Sequence, residues 1–270
     1  MAEKKSNVTV VIRSSGERTE KLCYDSVMLG AQKKNIHIVK VAPFPEAVKE
    51  IINLTTKLRV KYYLQVDADV VLVKGWQKVI AKCIEKYNKG EFKNIYEIDF
   101  NVTDRFIKPN MQMGVYLCNT EFNEAKAACL EATKGLVKPE GSIRHVIKEK
   151  FNADFAYCEE VIGYHGFMQF KVDIFNRWAL RTCRNKEYPE RFNLFKDKSP
   201  VDISENIVGK EERIAKAGWN YGMEHQDEYV NFMDFTKKKG AESLGYMEYL
   251  ELKIKLSDFY KEIEDYVKKR

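Results

Sequence analysis

The stretch from Lys61 to Val73 most constrains what this chain can fold into: Tyr62-Tyr63-Leu64-Gln65-Val66, then Asp67-Ala68-Asp69, then Val70-Val71-Leu72-Val73. A run this apolar and β-branched predicts a buried central strand. Two carboxylates inside it belong at a strand end facing water or a cation, because burying an unpaired carboxylate is costly. On an extended chain, residues i and i+2 point to the same side, and the small Ala68 between them lets a ligand approach. Asp67, Ala68 and Asp69 are thus a candidate site for a divalent ion. Hard oxygen ligands suit Mn²⁺ or Mg²⁺, held by carboxylates together with the phosphates of a substrate. The same pattern also fits a plain strand end and turn.

The rest of the chain bounds the class of protein. With 270 residues and 44% hydrophobic content, it can bury a core of its own. The six cysteines, Cys23, Cys83, Cys118, Cys129, Cys158 and Cys183, are scattered without metal spacing and read as reduced thiols of a cytoplasmic protein. No run is long and apolar enough for a membrane span, so at most peripheral membrane contact is expected. A net charge of +6, from 46 basic and 40 acidic side chains, suits phosphorylated substrates without calling for nucleic acid.

Strands and helices alternate through the first part of the chain. Val8–Ile12 is a strand feeding the polar loop Arg13-Ser14-Ser15-Gly16-Glu17-Arg18; a helix over 19–31, capped by Thr19, and a strand over 36–41 complete a parallel strand-helix-strand unit. Helices are predicted over 46–58, 76–87, 122–133 and 142–150, and strands over 94–100, 111–119 and 155–162, the last delivering Gly163-Tyr164-His165-Gly166. In open parallel sheets ligands sit beyond the carboxyl ends of strands, where the Arg13 loop, Asp67 and His165 all fall. Beyond His165 the alternation stops. Helical patterns over 173–183, 211–216 and 250–269 flank an irregular basic and aromatic stretch over 188–206. The expected organisation is a catalytic domain over residues 1–170 and a mainly helical extension over 171–270, which could also serve as a dimer arm.

In chain order, Val8 to Glu17, the helix before Tyr62, Asp67-Ala68-Asp69, Met113-Gly114-Val115-Tyr116 and Gly163-Tyr164-His165-Gly166 resemble successive landmarks of family 2 type glycosyltransferases with the GT-A fold. The resemblance implies an α/β fold with a mostly parallel sheet flanked by helices. It implies a nucleotide-diphosphate sugar as donor, with Arg13, Ser14 and Glu17 at the base and ribose. Asp67, Ala68 and Asp69 would meet the metal and diphosphate, and His165 would complete the shell of a Mn²⁺ or Mg²⁺ ion. Glu140, in Pro139-Glu140-Gly141-Ser142, is the nearest counterpart of the catalytic base that inverting members place in a Glu-Asp pair; it could equally serve only the dipole of the helix that follows. Glu159 and Glu160 are the reserve candidates. The first loop and Val41-Ala42-Pro43-Phe44 depart from the family pattern, which bears on how the base is recognised.

The function expected is metal-dependent transfer of a sugar, with inversion, to a carbohydrate, lipid-linked or protein hydroxyl. Two other readings stand beside it. One is nucleotidyl transfer to a sugar phosphate, disfavoured because Gly16 is the only glycine of the first loop. The other is a sugar- or nucleotide-binding scaffold without activity.

Overall fold

The structure, a computed structural model, describes residues 5–42, 44–106, 111–132, 139–187, 210–225, 241–242, 245 and 252–269. Backbone proximity divides the chain into two units. One comprises Met1–Arg105, Pro109–Phe167 and Leu252–Arg270, the other Phe106–Lys108 and Met168–Glu251.

The first unit is a seven-stranded sheet flanked by helices, the expected α/β architecture. Its strands are β1 (Thr9–Arg13), β2 (Ile36–Val39), β3 (Tyr62–Asp67), β4 (Val70–Leu72), β5 (Ile95–Asp104), β6 (Met111–Asn119) and β7 (Asp154–His165), in the order β2-β1-β3-β6-β5-β7-β4. The pairings β1–β2, β1–β3 and β5–β7 are parallel, while β3–β6, β5–β6 and β4–β7 are antiparallel. The sheet is therefore mixed, because β6 returns directly beside β3 and β5 without a crossover helix.

The predicted strand over 61–73 is in fact two strands. The chain turns at Ala68-Asp69, and β4 pairs with β7 rather than continuing β3. In a flat sheet β3 and β4 would lie four strand spacings apart, about 19 Å. Three residue steps from Asp67 to Val70 span at most about 11 Å. The sheet must curl, and Val70 marks where it closes. A Cβ on Gly114 of β6 would come 2.7 Å from Val70 Cγ2, and one on Gly163 of β7 would come 2.7 Å from Val70 Cγ1.

Alternation along the strands sorts the two faces. Val10, Ile12, Leu64, Val66, Val115, Leu117, Ile98 and Phe100 form one core with α1 (Glu20–Gly30) and α3 (Trp76–Asn88). Trp76 is fully buried there. Val11, Val39, Tyr63 and Cys118 on the other face meet Ile51 of α2 (Phe44–Leu58). Beside them, Tyr96 packs with α4 (Asn123–Ala132) and α5 (Pro139–Phe151). Helix α5 begins at Pro139, earlier than the expected Ser142, in keeping with the tolerance for proline in the first helical turn.

Five described cysteines are free thiols, four of them buried; the Cys183 side chain lies outside the described residues, as does the 188–206 stretch. In the second unit α6 (Lys171–Glu187) packs against α7 (Lys210–Glu224) around buried Phe175, Trp178 and Ile214. A Cβ on Gly218 would come 2.2 Å from the Phe175 carbonyl oxygen, so only glycine permits that approach.

The last helix, α8 (Leu256–Lys269), departs from the expected break at residue 170, since it returns to the first unit. Phe259 and Tyr260 pack against Tyr164 of β7, and the Tyr260 hydroxyl donates to the Leu72 carbonyl at 2.6 Å. No helix among the described residues is long and apolar enough to cross a membrane. Phe259 is fully buried, so Phe259→Ala should cost about 3–5 kcal/mol in chemical denaturation. Val267→Ala, at an exposed position of the same helix, should stay within about 0.5 kcal/mol. Equal effects would show that α8 does not anchor through its aromatic face.

Candidate functional site

Of the predicted site residues, Arg13, Ser14, Glu17, Asp67, Ala68, Asp69 and His165 lie at or just past the carboxyl ends of β1, β3 and β7. Arg13 closes β1 and stands in register with Asp67, which closes β3. Its Nη2 donates to Asp67 Oδ2 at 2.7 Å, with both side chains largely buried. Ala68, fully buried, donates its N–H to the Arg13 carbonyl at 2.9 Å.

Helix α1 holds this turn from behind. Thr19 does not cap the helix as its position predicts; its hydroxyl donates to the Ala68 carbonyl at 3.0 Å. Ser26 accepts from the Leu72 N–H at 3.0 Å and so ties α1 to β4. Gly114, at φ +71°, brings β6 so close to the turn that a Cβ would lie 3.7 Å from Asp67 Oδ2.

Asp69 meets β7. Its Oδ2 is 3.1 Å from His165 Nε2, while His165 Nδ1 is 2.6 Å from Asp104 Oδ2, at the end of β5. The backbone supports the same array: the Gly166 N–H donates to the Asp69 carbonyl at 3.1 Å and the Arg105 N–H to the His165 carbonyl at 3.0 Å. The turn between Asp67 and Asp69 thus replaces the same-side arrangement expected of an extended strand. The two carboxylates meet different partners.

The electrostatics of His165 follow from this sandwich. Burial alone would depress its pKa, but the Asp69 charge and the hydrogen bonds to Asp104 and Asp69 outweigh it and lift the imidazole to about 9. Without a bound cation, His165 is a protonated partner for two carboxylates at neutral pH. A cation at Asp69 would reverse that logic, since a ligand nitrogen must be deprotonated.

In the loop after β1, Ser14 is buried and gathers acids. Its Oγ lies 2.9 Å from Glu17 Oε2 and 2.5 Å from Glu20 Oε2, and the Ser15 N–H donates to Glu17 Oε2 at 2.8 Å. Lys40 balances Glu20 at 2.7 Å. Glu140 lies in the first turn of α5, and its side chain is outside the described residues. Of the reserve carboxylates, Glu160 pairs with Lys82 of α3 at 3.3 Å, and both Glu159 and Glu160 are exposed along β7.

Sequence reasoning missed Asp104, Thr19 and Glu20. The signal for Asp104 was present in Asn101-Val102-Thr103-Asp104, an acidic residue closing a β-branched run as Asp67 does; ending that strand at Phe100 hid it.

Comparison with known proteins adds little. No family model matches the chain, and no curated protein matches it. Solved structures similar to it include a glycosyltransferase involved in glycosylation of the major capsid of PBCV-1, at 12% identity and TM-score 0.40, covering 59% of this chain and 93% of that one. TarS 1-349 of S. aureus is similar at 10% identity and TM-score 0.39, covering 92% and 95%. A CMP:2-keto-3-deoxy-manno-octonic acid synthetase complexed with CTP is similar at 7% and 0.36, covering 58% and 91%. All three TM-scores lie below 0.5, so these likenesses establish neither family nor activity.

A raised histidine pKa stabilises the fold below the unfolded value near 6.5, and that contribution is lost as pH rises through about 9. In the presence of a chelator, the stability gap between wild type and His165→Gln should therefore narrow by roughly 3 kcal/mol between pH 6.5 and 9. Denaturant titrations at several pH values read it directly. A gap independent of pH over that window would mean that the imidazole is neutral in the folded chain.

Proposed function

We propose that this chain is a metal-dependent glycosyltransferase that moves a sugar from a nucleotide-diphosphate donor to a hydroxyl acceptor with inversion. The observation that carries the reading is the convergence of Asp69 Oδ2 and His165 Nε2 at 3.1 Å, beside the Arg13–Asp67 pair, with Asp104 fixing the far nitrogen of the imidazole. Among the described residues no group of three or more His, Cys, Asp or Glu side chains is arranged to hold a metal ion by itself. A partial donor set suits Mn²⁺ or Mg²⁺ on a nucleotide diphosphate, where phosphate oxygens and water fill the remaining positions. Asp69 and His165 would hold the ion, Asp104 would orient the imidazole, and Asp67 would act through its pairing with Arg13. When bound, the ion supplies positive charge to the departing diphosphate.

The other roles belong to the chain. Ser14, Glu17 and Glu20 form an acceptor-rich loop at the end of β1, suited to ribose hydroxyls and base N–H groups. Glu140, in the first turn of α5, is assigned the base that takes the proton of the acceptor hydroxyl as its oxygen attacks the sugar. The sheet unit with its returning α8 is the catalytic part and the unit centred on α6 and α7 is the extension, and the acceptor is a carbohydrate, a lipid-linked sugar or a protein hydroxyl.

A screen of nucleotide sugars for slow hydrolysis, with and without Mn²⁺, tests the reading without knowledge of the acceptor. One donor should be hydrolysed in Mn²⁺. Asp69→Asn should abolish the Mn²⁺-dependent part of donor binding in calorimetry; unchanged affinity would remove Asp69 from the metal. Glu140→Gln should leave donor binding intact and cut transfer by roughly a hundredfold or more. Near-normal turnover in that variant would exclude it as base.

A further inference from the structure

We propose that Gln112, Asn101 and Tyr157 form a carbohydrate subsite that seats the acceptor beside Asp67; the assignment rests on the transferase reading above and names its acceptor class. The three residues lie on neighbouring strands of one sheet face. Asn101 of β5 is in register with Gln112 of β6, and Asp99 of β5 is in register both with Tyr116 of β6 and with Tyr157 of β7. Two residues beyond Gln112 on β6 is Gly114, the residue that stands against Asp67. The row therefore runs from the Asp67 turn across β6 and β5 to β7. Because Gly114 has no side chain, nothing of its own rises between the turn and the row.

A hydrogen-bond relay orients the polar end. Asn101 Nδ2 donates to the Glu159 carbonyl at 2.8 Å, which leaves Asn101 Oδ1 to accept from Gln112 Nε2 at 2.8 Å. Gln112 is exposed, and this bond leaves its Oε1 and second amide hydrogen for a ligand. An acceptor and a donor held side by side match a sugar hydroxyl, which needs both.

The other end is an aromatic platform. Tyr157 is 57% exposed, yet its ring rests edge-on against Phe155 at 5.2 Å, and the Arg144 guanidinium sits 4.7 Å from the Phe155 ring. An exposed tyrosine alone is ordinary. One braced from behind, beside a pre-oriented amide, offers an apolar face and a hydroxyl to the C–H face and edge of a sugar. Between the two ends lies Asp99, 1% exposed, held by the Arg144 guanidinium of α5. From β6 to β7 is two strand spacings, about 10 Å, and Asn101 stands in register with Val161 of β7, so Tyr157 lies four residues along β7 from the level of Gln112. The row is sized for more than one sugar ring.

The test uses the full chain, a panel of immobilised neutral di- and trisaccharides, and UDP and GDP sugars with Mn²⁺ in calorimetry as the donor probe. Wild type should retain at least one saccharide. Tyr157→Ala should weaken that binding about tenfold or more, Gln112→Ala should weaken it measurably, and Tyr157→Phe should keep the stacking and most of the affinity. Donor affinity should be unchanged in all three. Saccharide binding at wild-type strength in both alanine variants, or no saccharide retained by protein that binds a donor, would overturn the subsite and leave the transferase reading standing. Protein that binds neither saccharide nor nucleotide sugar would sink both.

Discussion

The fold depends on a link that is too short for a flat sheet. Two residues, Ala68 and Asp69, connect β3 to a strand that belongs four places further along the sheet order. Closure is possible only if the strands between them bend round, and the bend needs space for Val70 where it meets β6 and β7. Gly114 and Gly163 supply that space by having no side chain. At both positions the expected β-strand preference for a branched residue is overridden by a steric demand from a strand distant in sheet order.

Curling also assembles the polar end. Asp67, at the end of β3, finds Arg13 on the adjacent β1, whereas Asp69 crosses to His165 and Asp104 on strands that would be remote in a flat sheet. The turn thus separates the two carboxylates into different charge environments, one neutralised by a guanidinium and one by an imidazole. Each is a buried pair, for which the loss of either partner costs more than the pair contributes. The clamp from α1 through Thr19 and Ser26 is then understandable: the Thr19 hydroxyl satisfies the Ala68 carbonyl of the turn, and Ser26 accepts from the Leu72 amide at the end of β4.

Local pattern made most of the elements legible. Hydrophobic periodicity placed α2, α3 and β6 close to where they lie, and the first carboxylate of the Lys61–Val73 run closes β3. What remained hidden was non-local. A continuous β-branched run does not show that it breaks at Ala68, because both halves are equally buried and differ only in which strand they pair with. Thr19 looked like a helix cap because capping is its commonest use, and only the position of the Ala68 carbonyl redirects its hydroxyl. Asp104 was invisible as a partner of His165 because about 60 residues separate them and no spacing rule links the ends of two parallel strands. The return of α8 rests on Phe259, Tyr260 and Tyr164, aromatic residues that a sequence does not sort between core and surface.

A second charged cluster bears on how the two halves of the proposed site are kept in register. Glu97 is held by Lys126 of α4 at 3.3 Å and by Arg144 of α5 at 3.0 Å, and Arg144 also reaches Asp99 Oδ2 at 2.5 Å. One guanidinium cannot fully compensate two buried carboxylates. Burial, then the charge of Glu97, push the Asp99 carboxyl up to about 7, while Lys126 and Arg144 overcome burial to keep Glu97 below its ordinary value. Such a network is a poor source of net stability, yet it is directional, because each partner is satisfied in one arrangement only. It fixes α5 against β5. Position 140 lies one turn ahead of Arg144 on the same side of that helix, so the contacts that hold Arg144 over Asp99 also set where the first turn of α5 stands over the sheet. A substitution in the Glu97 cluster would therefore act on the candidate base through the helix register, without touching any group that meets the donor.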